Sequence, residues 1–178
     1  MRKIYLIALL LLSLPLAAKN FILKTNLPYV ATATPNLGVE FAISPSFSLS
    51  IEGGYTPFKW NKDRYLKHFV INPEVRYWLC HRFVGSFVGV HGFYGEYNFD
   101  YDKWFNHRYD GRVVGAGFTY GYHFYLSKHW GIELLAGIGY AYLYYDKYKS
   151  GHCGDYVGKF KRNYIGPTRL AVSILHIF

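Results

Sequence analysis

Seven charged residues sit where alternate side chains of separate extended runs would turn the same way: Lys24, Glu40, Glu52, Glu74, Arg76, Glu133 and Arg169. Successive side chains of a strand point to opposite faces. In NLGVEFAI, Glu40 shares a face with Asn36, Gly38 and Ala42, while Leu37, Val39, Phe41 and Ile43 take the other. Four acids then face three bases in one interior, where charges must pair and hydrogen-bond or their desolvation is costly. The chemistry this offers is a polar plug that fixes the interior. A gated, narrow pore lined by Glu and Arg is the alternative. Acid–base catalysis by neighbouring carboxylates needs substrate access, which an interior sealed by side chains denies.

Other reactive residues give less. Lys59, Lys62, Arg64 and Lys67 outweigh Asp63, and Lys147, Lys149, Lys159, Lys161 and Arg162 outweigh Asp146 and Asp155, a net of +3 in each stretch. Of these, Lys59, Lys62, Arg64, Lys67, Lys159, Lys161 and Arg162 suit phosphate groups such as those of lipopolysaccharide. Ser150, His152 and Asp155 crowd one polar stretch and form no positioned nucleophile–base pair, so a lipid-modifying enzyme is a weaker alternative. Cys80 and Cys153 fall at opposite ends of the layout described below, too far apart for a disulfide. His152 and Cys153 alone make no metal site, and no cofactor is expected. Tyrosines cluster at strand ends, as in Tyr140, Tyr142, Tyr144, Tyr145 and Tyr148, where amphipathic rings suit a membrane interface.

The elements that position these residues follow from turn spacing. Short turns (44–47, 79–83, 126–130) alternate with longer polar stretches near 31–35, 59–67, 99–110 and 146–163, leaving eight strands. The strand near 112–123 sends Val114, Ala116, Phe118, Tyr120 and Tyr122 one way and Gly115, Gly117, Thr119, Gly121 and His123 the other. The strand near 84–97 is ambiguous, with Gly and aromatics on both faces. In the first, near 21–30, Lys24, Asn26 and Pro28 share a face. One face is bulky, apolar and tyrosine-edged, and the other small and charged. That inverts the pattern of a soluble sheet. The expectation is all-β: an eight-stranded antiparallel transmembrane β-barrel with short periplasmic turns and longer extracellular loops.

The ends agree. Arg2 and Lys3, the apolar run Ile4–Leu14 and the small Ala17 and Ala18 read as a signal peptide over residues 1–18, with one domain over 19–178. Losing Arg2 and Lys3 lowers the formal charge from +9 to +7. At the other end, YIGPTRLAVSILHIF places Leu170, Val172, Ile174, His176 and Phe178 on one face, and Arg169, Ala171, Ser173, Leu175 and Ile177 on the other. A terminal aromatic resembles the signal read by the barrel-assembly machinery. Arg169 is expected near Glu133 on the neighbouring strand.

The segments TNLPY, TPNLGVEFAISPSFSLSIEGGY, NPEVRYWL and KRNYIGPTRLAVSILHIF resemble a family of small bacterial outer-membrane barrels of unknown function, often encoded beside fimbrial subunit genes. The resemblance implies an outer-membrane location, this fold and a link to fimbrial proteins; the expectation drawn from the whole chain is a non-enzymatic role in surface structure, with lipid, lipopolysaccharide and fimbrial or other surface proteins as partners. It supplies no catalytic residues. Nucleic acid is not an expected partner of a secreted barrel.

Overall fold

The computed structural model describes residues 21–56, 59–61, 64–101, 107–149 and 156–178. The expected signal peptide, Lys62, Cys153 and the Ser150, His152, Asp155 group lie outside the described residues. The elements are β1 (Phe21–Asn26), α1 (Leu27–Ala31), β2 (Asn36–Ala42), β3 (Phe47–Thr56), β4 (Lys59–Asn61), β5 (Arg64–Trp78), β6 (Gly85–Tyr101), β7 (His107–Tyr125), β8 (Trp130–Lys149) and β9 (Tyr156–Ile177). No helix among the described residues is long and apolar enough to cross a membrane.

All pairings are antiparallel. Consecutive strands pair from β1 to β3 and from β5 to β9, β3 pairs β5, and β1 pairs β9 to close the sheet into a ring. The short β4 pairs β5 beyond the end of β3, so the ring has eight strands. The closing register runs from Ile22↔Ile177 to Asn26↔Ser173. The first and last described strands therefore meet at their ends: the Phe178 N–H donates to the Phe21 carbonyl at 3.1 Å, and the two rings stack at 4.4 Å.

The first strand is shorter than its sequence suggested. It stops at Asn26, and Pro28 lies exposed in α1 rather than beside Lys24 and Asn26. Proline has no N–H for a ladder but suits the first turn of a helix. The Asn36 side chain replaces the lost partner. It accepts from the Asn26 N–H at 2.7 Å and donates to the Asn26 carbonyl at 3.0 Å.

Three stretches expected as loops are largely strand. Residues 59–61 and 64–67 form β4 and the start of β5, β6 and β7 reach to Tyr101 and His107, and β8 and β9 reach to Lys149 and Tyr156. The wall is consequently uneven. Strands β1 to β3 have 6, 7 and 10 residues, whereas β6 to β9 have 17, 19, 20 and 22.

The interior has two parts. Ile22, Trp78, Phe83, Phe87, Leu135, Ala171 and Leu175 form an apolar cluster at the short-turn end. Phe83 reaches it from a turn residue with φ of 65°. Above it lie the charges. Strand β6 is resolved as well: Phe87, His91, Phe93 and Tyr97 stand opposite Gly121, Gly117, Gly115 and Gly111 of β7. A Cβ at each of those glycines would collide with the facing ring. Flat aromatics laid over glycines fill that wall.

Candidate functional site

The interior charges come from six strands. Lys24 lies on β1, Glu40 on β2, Glu52 on β3, Glu74 and Arg76 on β5, Glu133 on β8 and Arg169 on β9. Each follows from strand alternation, except that the bulge beside Arg169 turns its neighbour Thr168 inward as well. The structure brings all seven together. Lys24 Nζ lies 2.9 Å from Glu40 and 3.1 Å from Glu52. Arg76 lies 2.7 Å from both Glu40 and Glu74, and Arg169 lies 2.8 Å from Glu74 and 2.7 Å from Glu52. These contacts form a closed cycle of alternating sign: Lys24, Glu40, Arg76, Glu74, Arg169, Glu52 and back to Lys24. Glu133 is the fourth acid, taking two Arg76 hydrogen bonds at 2.6 and 3.0 Å.

Every Arg76 nitrogen donates to a carboxylate. Nε reaches Glu74, Nη1 reaches Glu40 and Glu133, and Nη2 reaches Glu133. The group is also 4.3 Å above the Phe87 ring. Neutral donors complete the acids: Ser48 donates to Glu40 at 2.5 Å, Thr119 donates to Glu74, and Trp78 Nε1 supports Ser48 at 2.9 Å. Arg76 and Glu40 are 0% exposed. At such depth charges persist only when paired and hydrogen-bonded, and this set meets that condition.

Arg169 does not pair with Glu133. The register sets Arg169 against Gly137 and Glu133 against Ser173. Arg169 therefore crosses the interior to β3 and β5. A bulge leaves Thr168 unpaired beside it, and Thr168 bonds His91 at 3.1 Å. Gly38 and Gly89 are site residues that charge reasoning did not find. A Cβ on Gly38 would lie 2.6 Å from the Glu52 chain and 2.7 Å from Lys24, and one on Gly89 would lie 2.7 Å from the Glu74 carboxylate. For Gly38 the sequence signal was its place on the same strand face as Glu40; Gly89, on the strand with glycines and aromatics on both faces, gave none.

The basic candidates divide. Lys67, Lys159, Lys161 and Arg162 are exposed, while the side chains of Lys59 and Arg64 lie outside the described residues. Lys159 and Lys161 stand opposite Asp146 and Tyr144 on the outer face, but Arg162 stands opposite Leu143 on the inner one. A hydrogen bond to Tyr144, with Asp146 nearby, holds the Lys159 amine above its usual range. Tyr145 likewise turns inward and stacks on Phe160. Cys80 is exposed with a free thiol.

Residues 4–178 match the model of a protein family of unknown function (DUF3575). The chain belongs to that family. Searches of curated proteins and of solved structures gave no match. In this DUF3575 chain the matched span includes all seven interior charges, the glycines beside them and Phe178.

Proposed function

We propose that the protein is a bacterial outer-membrane β-barrel, delivered by a cleaved signal peptide, with a non-enzymatic role in surface structure and surface interaction. The observation that carries this is the inverted distribution of polarity. Seven charges lie in the interior, while Phe118, Ile138, Ile165 and Leu170 on the outer face are 70%, 66%, 83% and 73% exposed. Water-soluble monomers rarely expose a continuous apolar surface on this scale. Hydrocarbon demands a closed sheet, since no other partner exists there for backbone groups. Strand β3, with 10 residues, has the ~9–11 that a tilted strand needs to span, and β6 to β9 would project beyond the membrane as a partner surface. Lys159 and Lys161 on the outer face suit lipopolysaccharide phosphates. A role in fimbrial assembly draws its support from the family resemblance of the segments quoted above.

The ion-pair cycle supports a closed plug rather than a pore, since it spans the interior above an apolar cluster. The deciding experiment is fractionation of native cells followed by gel mobility with and without heating. A heat-sensitive band in outer-membrane fractions is expected. Protein soluble without detergent would overturn the reading. Planar bilayers carrying the protein should show no steady conductance.

A further inference from the structure

Above the ion-pair cycle the interior is open. A cavity of about 420 Å³ lies there. Phe93, Val113, Leu143 and Tyr164 form its walls, Thr168 its floor and Arg162 its rim. All these wall positions belong to the inner face, as the ladder pairs Val113 with Leu143 and Leu143 with Arg162. Phe93 lies flat over Gly115, which keeps its ring against the wall rather than across the opening. Beneath Thr168, Arg169 reaches down to Glu52 and Glu74 and closes the bottom. Anything that enters must leave by the same end.

The chemistry of the lining is selective. Its walls present aliphatic and aromatic carbon, and no acid among the described residues lines them. The exposed Arg112 of the outer face is matched by Glu96 at 3.3 Å, but no acid among the described residues pairs with Arg162. Ligand cavities of about 300–1,000 Å³ with apolar walls and a few placed polar groups hold small molecules whose bulk is apolar. A single guanidinium at the rim selects an acidic head group.

We propose that this cavity binds a single-chain anionic amphiphile, its alkyl chain between Phe93, Val113 and Leu143 and its acid head at Arg162. The site requires only the inner face, so it holds whether or not the outer face meets lipid. It adds a ligand to a protein otherwise read as structural.

The test uses the full chain kept in an amphipathic polymer and a dodecanoate bearing a diazirine on its chain. Photolysis should label Val113, Leu143 and Tyr164. Unmodified dodecanoate should compete, and dodecyltrimethylammonium should not. Arg162→Gln should weaken labelling affinity about tenfold, the loss of one charge-assisted contact. Ala141 also lines the cavity and is buried, so Ala141→Phe should fill it and abolish labelling, with unheated gel mobility reporting that the ring still closes. Should that variant fail to fold, Arg162→Gln at the exposed rim still decides. Labelling confined to the outward Val114, Tyr142 and Ile165, equal competition by the cation, or no effect of Arg162→Gln would each overturn the proposal. Phosphatidylglycerol competing as well as dodecanoate would overturn the single-chain assignment.

Discussion

Every Arg76 nitrogen is engaged: the three serve Glu40, Glu74 and Glu133, and the residue is fully buried. Removing one partner of such a set leaves uncompensated buried charge, at a cost of ~3–5 kcal/mol. Arg76→Ala should therefore lower the unfolding free energy of the detergent-held protein, read from its denaturant curve, by that amount. Glu133→Gln should cost far less. The seven groups carry three positive and four negative charges, so this change brings their sum from −1 to zero and keeps a hydrogen-bond acceptor. Equal losses for the two variants would show that Arg76 acts through size rather than charge. Alternation named all seven residues in advance, because each lies on a strand with clear outer neighbours. It did not name the partners. Arg169 reaches Glu52 and Glu74 because a glycine faces it on β8 and a bulge turns β9, and neither feature is legible from charge spacing.

Strands β6 and β7 contribute no charge to the cycle and are held by shape. Gly117 has backbone on its open side: a Cβ there would meet the Ile138 carbonyl and the Gly139 Cα, neither of which is the end of a flexible chain. Gly117→Ala should cost about 1–3 kcal/mol by overpacking, seen as a lower heat-transition temperature on gels of samples warmed in steps before loading. Gly53→Ala should be close to silent in the same assay, since the nearest atom to its Cβ would be the Val70 carbonyl at 3.7 Å. The β6 sequence was unreadable by hydropathy for the same reason. Rings that lie over glycines put aromatics on the inner face, where alternation expects small or polar residues. The far ends of β8 and β9 were misread as loop on a different ground. Residues 159–163 are exposed at every position, so no apolar period marks them as strand.

At the scale of the molecule, the outer face decides the environment. Phe118→Lys or Ile138→Lys should cost ~2–4 kcal/mol when the ring folds into bilayers, the penalty for a cation at mid-depth. The same change in water would be nearly neutral at positions so exposed. Comparison of folding yield into vesicles and into detergent separates the two outcomes. Closure is a second property of the whole. Phe21→Ala should reduce yield in purified refolding as much as Phe178→Ala, because the two rings form one stack. In cells, a larger loss for Phe178→Ala than for Phe21→Ala is expected if the terminal residue is also read during assembly.

The cycle of ion pairs also has a consequence in time. Arg169 belongs to β9, the last of the described strands, and it is the cation that completes both Glu52 and Glu74. Before β9 docks, those acids have only Lys24 and Arg76, which Glu40 and Glu133 already claim. An intermediate in which β9 has not docked would therefore carry excess negative charge that is costly to dehydrate, and its interior would stay wet until β9 docks. Closure becomes a late, all-or-none step. A chain ending before Arg169 should accumulate as an open, protease-sensitive sheet, however well its earlier strands pair.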